Sequence, residues 1–290
     1  MREHVLWPAP TPVFADGRSS GWLDFAEPDA GVPLVVASVN GQRVEALLDS
    51  GAQSSVIDQG LAARLGLSTT AIAPIIIAFG VSGAPRLGRT ASLDVALGGL
   101  ILKGLRAAVF ELAPVAAASG RGFGMILGQD VLRLLIADLD FPGGRLAFHA
   151  PAAYAPPPEA RAVPVRSTGR QLLVPVTVEG TALEALIDTG ATAALALSVQ
   201  TAEAAGLLAG RPVESAPAIT FGGAARDRLV TVQTATLAGQ TFRDLAVHIY
   251  TPGGAAPLPA GLVGVEAFAR FRAIIDVGGG RLHLAPAAAD

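Results

Sequence analysis

Residues 39–52 read VNGQRVEALLDSGA and residues 178–191 read VEGTALEALIDTGA, so one pattern occurs twice in the chain at a constant offset of 139. In each copy a short apolar run leads directly into an Asp-Ser/Thr-Gly triplet, which begins at Asp49 and at Asp188. Repetition at a fixed spacing is typical of duplicated structural units. The chain is therefore predicted to contain two copies of one fold, with one triplet in each.

A second pair of matching blocks indicates how far the copies extend. Residues 125–132 (MILGQDVL) align with residues 261–268 (GLVGVEAF) at an offset of 136, and both blocks continue through an aspartate into Gly-Gly-Arg-Leu. The two sets of matches predict an N-terminal arm over 1–30, a first domain over 31–150, a proline-rich linker over 151–163 and a second domain over 164–290.

The composition favours a mostly β structure. Hydrophobic residues make up 51% and charged residues 16% of the 290-residue chain, which provides enough apolar material for a core and argues against disorder. The 34 glycines and 21 prolines indicate many short elements joined by turns. Helix start and stop signals predict only short helices, over Asp58–Leu65, Val199–Ala205, Asp130–Ile136 and Glu266–Phe271.

Several classes of site are disfavoured by what the sequence lacks. The net charge of -3, with no basic stripe, gives no support to a nucleic-acid partner. The absence of cysteine excludes disulfides, cysteine nucleophiles and cysteine-based metal sites. The four histidines are not spaced like a metal motif, so we expect no histidine-based metal site.

The sequence leaves the cellular compartment open. No apolar run reaches the ~18 residues that a transmembrane helix needs, so we expect no membrane span. Residues 1–20 lack the apolar stretch of a signal peptide. The location is expected to be cytoplasmic, or periplasmic or secreted if a leader has been removed. Many arginines beside a single lysine, Lys103, are typical of a high-GC bacterial coding sequence.

The two triplets carry the residue types of a paired-carboxylate site. Two carboxyl groups held about 3 Å apart cannot both ionise, so they share one proton. The ionised group can then deprotonate a water molecule while the protonated group donates to a polarised carbonyl. Ser50 and Thr189 supply hydroxyl groups that can bond across the axis relating the copies, and Gly51 and Gly190 allow a tight turn beneath each carboxylate.

Ordinary turns are the simpler interpretation of the triplets. A chain of this length and average composition should contain Asp-Ser/Thr-Gly about 0.1–0.2 times by chance. Two such triplets occur here at corresponding points of a repeat, each behind an apolar run. Chance turns therefore do not explain them.

The order of these features resembles the aspartic protease family. The shared features are an apolar pair followed by Asp-Ser/Thr-Gly-Ala, a Gly-rich hairpin, an apolar-apolar-Gly step and a short helix. The alanines after the triplets, Ala52 and Ala191, and the short copies resemble retropepsins, in particular a bacterial single-chain form. This resemblance implies an all-β fold class with two closed β-barrel domains, a pseudo-two-fold axis and an active-site cleft between the domains.

The resemblance also implies roles for individual residues. Asp49 and Asp188 would form the catalytic dyad. The residues supporting the dyad would be Ser50, Gly51, Thr189 and Gly190. Two Gly-rich tips would be substrate-binding flaps, formed by Phe79, Gly80, Val81, Ser82 and Gly83 in the first domain and by Phe221, Gly222 and Gly223 in the second.

The resemblance thus predicts an aspartic endopeptidase that acts on a peptide or protein substrate without a metal or cofactor. Because one chain holds both triplets, a monomer should be active. The alternative is a non-catalytic peptide-binding module that retains the fold, although loss of an aspartate or a triplet glycine would usually mark such a module. A carbohydrate hydrolase with two carboxylates is a third hypothesis, but it explains neither the duplication nor the triplets.

Overall fold

The computed structural model describes residues 8–26, 31–71, 89–120, 122–168, 171–220, 223–251 and 259–286, and most of these residues lie in short strands. The strands of the first half are β1 (Thr11–Phe14), β2 (Ser19–Asp24), β3 (Leu34–Val39), β4 (Gln42–Leu48), β5 (Val56–Asp58), β6 (Thr69–Ala71), β7 (Arg89–Leu97), β8 (Leu100–Phe110), β9 (Met125–Leu127), β10 (Ile136–Asp140) and β11 (Arg145–His149). Those of the second half are β12 (Arg161–Val163), β13 (Arg166–Ser167), β14 (Leu172–Val178), β15 (Thr181–Ile187), β16 (Ala196–Ser198), β17 (Glu214–Thr220), β18 (Gly223–Leu237), β19 (Gln240–Tyr250), β20 (Gly261–Val263), β21 (Arg272–Asp276) and β22 (Arg281–Ala285).

Six strands of each half close into a barrel. In the first half the ring runs β8-β5-β9-β4-β3-β7, and β7 pairs back with β8. In the second half it runs β14-β15-β20-β16-β19-β18, and β18 pairs back with β14. Corresponding strands take corresponding places in the two rings. The predicted fold class, all-β with two closed barrels, is therefore confirmed.

Alternating side chains fill the barrels. In β14, Val174, Val176 and Val178 are buried while Pro175 and Thr177 are exposed, as the two-residue period of a strand requires. The inward-facing residues of both halves belong to one continuous hydrophobic cluster. The two barrels therefore share a core and are not linked only by their connecting segment.

The helices are short and lie at the edges of the barrels. They are α1 (Gln59–Arg64), α2 (Ala113–Ser119), α3 (Gln129–Leu132) and α4 (Val199–Ala204), with 3₁₀ turns at Pro151–Ala153 and Val265–Phe268. The predicted helices at α1 and α4 are confirmed. Each begins after a side-chain cap: Asp58 accepts from the N–H of Leu61 at 2.9 Å, and Ser198 accepts from that of Thr201 at 3.1 Å. Within the described residues, no helix is both long and apolar enough to span a membrane.

Two predicted helices were too long. The helix expected over Asp130–Ile136 ends at Leu132, and only the 3₁₀ turn at Val265–Phe268 forms where Glu266–Phe271 was expected. Residues 133–135 and 269–271, which the predictions included, form turns, and strands β10 and β21 begin directly after them at Ile136 and Arg272. All five residues of β10 are buried, so strand pairing takes precedence over the helix there.

A third sheet joins the two halves. Its strand order is β12-β22-β21-β10-β11-β2, and β10 pairs with β21 in antiparallel fashion. Asp138 lies opposite Ile274, its counterpart at the offset of 136, so the pseudo-two-fold axis passes between these two residues. The outer strands come from the predicted arm (β2) and the predicted linker (β12), and both are built into the sheet.

A buried ion pair lies at the centre of this sheet. Asp138 is fully buried and accepts hydrogen bonds from Arg272 at 2.7 and 2.6 Å and from the hydroxyl of Tyr154 at 2.7 Å. His149 Nε2 lies 3.5 Å from the same carboxylate, and the Arg272 guanidinium lies 5.3 Å from the ring centre of Trp22. Burial alone would raise the pKa of Asp138, but its hydrogen bonds and the charge of Arg272 hold that pKa below its usual value. One carboxylate thus connects both halves and the segment between them.

Replacing Asp138 with asparagine should lower the free energy of unfolding by about 3–5 kcal/mol, because Arg272 would remain largely buried without its charge partner. Urea denaturation at neutral pH measures this loss. The pKa of Asp138 is lowered in the folded state. The difference from wild type should therefore be complete above the unfolded-state pKa of about 4 and shrink as the pH falls through the lower folded-state pKa.

The matched control is Glu184→Gln. This change breaks an ion pair with Arg166 in which the side chains are 44% and 57% exposed, so solvent already screens the attraction. The control should change the free energy of unfolding far less than Asp138→Asn. Similar losses in the two variants would contradict a structural role for the buried pair.

Candidate active site

Each triplet begins where a buried strand ends. Strand β4 runs parallel to β9, and strand β15 runs parallel to β20. The N–H of Asp49 donates to the carbonyl of Leu127 at 3.0 Å, and the N–H of Asp188 donates to that of Val263 at 2.9 Å. The apolar-Gly blocks recognised in the sequence therefore support the triplets from behind, one in each half.

Four hydrogen bonds lock the two triplets together across the axis. The Ser50 hydroxyl donates to the carbonyl of Ile187 at 2.7 Å, and the Thr189 hydroxyl donates to that of Leu48 at 2.7 Å. In return, the N–H of Ser50 donates to Thr189 Oγ1 at 2.9 Å and the N–H of Thr189 donates to Ser50 Oγ at 3.1 Å. The structure thus brings together the two hydroxyls that the sequence placed at the axis.

The triplet glycines make room for the opposite carboxyl groups. A Cβ atom at Gly51 would lie 2.7 Å from Cγ of Asp188, and one at Gly190 would lie 2.7 Å from Cγ of Asp49. Neither glycine is among the described residues with a positive φ. Glycine is therefore required for close contact between the two halves, and not for an unusual backbone conformation.

The two carboxyl groups form one coupled pair. The two side chains lie close enough for each carboxyl group to act on the pKa of the other. Oδ1 of Asp49 also accepts from the N–H groups of Gly51 at 2.8 Å and Ala52 at 2.9 Å, and Oδ1 of Asp188 accepts from that of Gly190 at 2.9 Å. Burial raises the pKa of both groups, and the nearby Asp49 charge helps to raise that of Asp188 well above its ordinary value. Such a pair holds one proton between two carboxyl groups over a range of pH.

The surroundings of the two triplets differ. Gln129 Nε2 donates to the carbonyl of Ser50 at 2.7 Å, whereas Val265 occupies the corresponding position in the second half. Burial raises the pKa of Tyr250 in the second half, and the nearby charge of Asp188 raises it further. Sequence reasoning assigned no role to Gln129 or Tyr250. The available signal was the mismatch between the aligned blocks, with a polar residue at a position where the other copy is apolar.

The flap residues are only partly within the described structure. Residues 79–83 and the pair Phe221 and Gly222 lie outside the described residues. Strands β17 and β18 pair in antiparallel fashion up to Thr220 and Gly223, so Gly223, the described residue of the predicted second flap, lies at the end of a two-stranded ribbon. Helix α2 of the first half contacts both strands of this ribbon. The assignment of the flaps to substrate binding stays a prediction.

A cavity of about 510 Å³ opens between the two halves. Phe25, Val32 and Phe141 line it from the first half, and Thr192 and His248 are among the residues that line it from the second. Thr192 follows the alanine of the second triplet, so the cavity lies beside this loop. Neither aspartate is among its lining residues.

Comparisons with known proteins match both halves of the chain. A protein-family model described as "Aspartyl protease" matches residues 35–131 and 174–267. Among solved structures, the chain is similar to a retropepsin-like aspartic protease from Rickettsia conorii, with 21% identity and a TM-score of 0.33 over 43% of this chain and 89% of that one. No curated protein matches the chain.

Thr189→Val should lower the free energy of unfolding by about 2 kcal/mol. The change removes the hydroxyl that donates to the carbonyl of Leu48 and leaves the buried N–H of Ser50 without its acceptor. Thr189→Ser retains the hydroxyl and is the matched control. Denaturant unfolding of both variants measures the difference, and equal stability of the valine and serine variants would contradict the role of these bonds.

Proposed function

Since the chain belongs to the aspartyl protease family, as its triplets predicted, we propose that it is an endopeptidase that hydrolyses internal peptide bonds with Asp49 and Asp188. The observation that carries this proposal is the buried carboxyl pair that the crossed bonds of the two triplets hold together at the junction of the two halves. A pair that shares one proton contains a base and an acid at the same point, which is what addition of water to an amide requires.

The reaction follows from the protonation of the pair. The ionised carboxylate takes a proton from a water molecule, whose oxygen bonds to the carbonyl carbon of the substrate. The protonated carboxyl group donates its proton to the carbonyl oxygen, giving a tetrahedral diol. The carboxyl group that gained a proton then gives it to the leaving nitrogen as the C–N bond breaks, while the other carboxylate takes a proton from a hydroxyl of the diol, so the pair regains its starting protonation. This route forms no covalent intermediate with the protein.

The fold holds the two carboxyl groups in a fixed position. The crossed bonds of Ser50 and Thr189 fix both loops, so the carboxyl groups need little reorganisation during the reaction. The backbone N–H groups of Gly51 and Ala52 are directed at Asp49 and favour its ionised form. The predicted flaps would hold an extended peptide over the pair.

Asp49→Asn and Asp188→Asn should each reduce peptide cleavage by about 10³-fold or more, because one carboxyl group cannot supply both acid and base. Release of fragments from an unfolded protein substrate, measured over a range of pH, checks this expectation. The double variant should be little worse than either single variant, since the two groups act as a unit. Considerable activity in either single variant would contradict the mechanism.

Asp244→Asn is the matched control, because it makes the same chemical change at an exposed position on strand β19. It should retain wild-type activity. Because one chain carries both aspartates, wild-type activity per molecule should also stay constant on dilution. A wild-type protein that binds peptides without cleaving them would instead support the binding-module alternative.

The pH dependence follows from the raised pKa values of the pair. Activity requires the singly protonated state, so it should fall at low pH when both groups are protonated and at high pH when both are ionised. Burial raises the pKa of both aspartates above the ordinary value, so both limbs of the pH profile move to higher pH. We therefore expect a bell-shaped profile of kcat/KM with an optimum at about pH 4–6. A peptide without ionisable side chains is the suitable substrate, and an optimum below about pH 3 would contradict the argument.

A further inference from the structure

A buried position next to the triplet loops differs between the two halves. Gln129 is 1% exposed and donates from Nε2 to the carbonyl oxygen of Ser50 at 2.7 Å. Val265, its counterpart in the second half, has no side-chain donor. The carbonyl of Thr189, which corresponds to that of Ser50, therefore receives no such bond from this position.

The peptide group that Gln129 contacts also contacts the carboxyl pair. The carbonyl of Ser50 and the N–H of Gly51 belong to one peptide unit, and this N–H donates to Oδ1 of Asp49 at 2.8 Å. A peptide group that accepts a hydrogen bond at its oxygen becomes a stronger donor at its nitrogen, because each bond polarises the next. The chain from Gln129 through this peptide therefore ends on Asp49, and a stronger donor there favours the ionised carboxylate.

Packing alone does not account for a glutamine at this position. Oε1 of Gln129 is buried and has no hydrogen-bond partner among the described residues, which costs free energy. The second half shows that valine fits the corresponding position, and valine carries no such cost. The backbone carbonyl of Gln129 is held by Arg133 Nε at 3.1 Å, so this end of the residue is fixed independently of its amide.

We propose that Gln129 is a positioning residue that makes Asp49 the ionised member and Asp188 the protonated member of the pair. This proposal rests on the proposed function, because it treats the two aspartates as an acid–base pair. It adds a fixed division of roles: Asp49 takes the proton from water, and Asp188 donates to the substrate carbonyl.

The other ionisable groups near the pair do not reproduce this effect. Tyr250 lies near Asp188, but its hydroxyl donates to the carbonyl of Pro259 at 2.5 Å and is therefore not directed at the aspartate. Asp130 follows Gln129 in the chain, and its carboxylate accepts from the N–H and hydroxyl of Ser55 at 2.9 and 2.8 Å.

Two more charged groups lie in the described surroundings of these residues. Asp227 acts on Tyr250 and lies 3.6 Å from His248, so its charge faces a histidine and not Asp49. Glu266, the counterpart of Asp130, accepts from the N–H of Ala194 at 3.1 Å. The raised pKa values of the pair, with that of Asp188 well above ordinary, agree in direction with the proposed division.

Carboxyl ¹³C NMR titration of single-aspartate variants tests the proposal without substrate. Asp188→Asn leaves Asp49 to titrate alone, and Asp49→Asn leaves Asp188. The pKa of Asp49 should be the lower of the two. Adding Gln129→Met, which retains side-chain length without the donor, should raise the pKa of Asp49 by about half a unit and leave that of Asp188 unchanged.

Three outcomes would overturn the proposal: no shift in either aspartate, equal shifts in both, or a lower pKa for Asp188 when Gln129 is intact. Gln129→Val, which copies the second half, replaces the methionine variant if that variant does not fold. Tyr250→Phe is the control for the second difference between the halves, the tyrosine near Asp188, and it should leave the pKa of Asp49 unchanged. Because the titration needs no peptide cleavage, its failure is distinguishable from failure of the proposed function.

Discussion

The exchange of hydrogen bonds between Ser50 and Thr189 is the constraint on which the site depends. Two carboxyl groups in contact repel each other when both are ionised, so the pair cannot hold its own loops together. Each hydroxyl donates to a strand carbonyl of the other half and accepts from the opposite triplet. A buried network in which these groups all find partners favours one rigid arrangement. The glycines then allow the carboxyl groups to approach, because any larger side chain would occupy the space between the halves.

A second contact on the same axis supports the first. The antiparallel pair β10–β21 places Asp138 opposite Ile274, and the buried bonds to Arg272 and Tyr154 fix this part of the interface. A rotation of one half about the triplets would break the strand pairing, and a shift of the strands would break the crossed hydroxyl bonds. The distance between Asp49 and Asp188 is therefore held by two separate sets of interactions, in addition to the shared hydrophobic core.

Features that occur twice in the sequence could be predicted, and features that occur once mostly could not. The two triplets follow from aligned blocks that carry the same pattern, and the barrels follow from the family that these blocks resemble. The arm strands β1 and β2 have no second copy, and their pairing with β8 and β11 depends on contacts distant in sequence. The end of α3 was missed because the apolar residues after Leu132 also fit a helical period, and only the fold shows that the chain turns there and enters the buried strand β10. Gln129 stood out from Val265 in the alignment, but its partner Ser50 lies 79 residues away, so only the fold shows the contact.

Fusion of two copies into one chain allows pairings that a symmetric dimer cannot form. In a dimer of identical subunits, a residue on the two-fold axis faces its own copy. Asp138 would then oppose a second aspartate across β10, and like charges directly opposite each other destabilise a sheet. Here Ile274 takes the facing position, and Arg272 stands where the first half has Ile136. The same reasoning applies to the carboxyl pair, because a glutamine in both copies would offer its donor equally to both loops. With Gln129 in one copy only, a duplicated chain can give its two aspartates different roles.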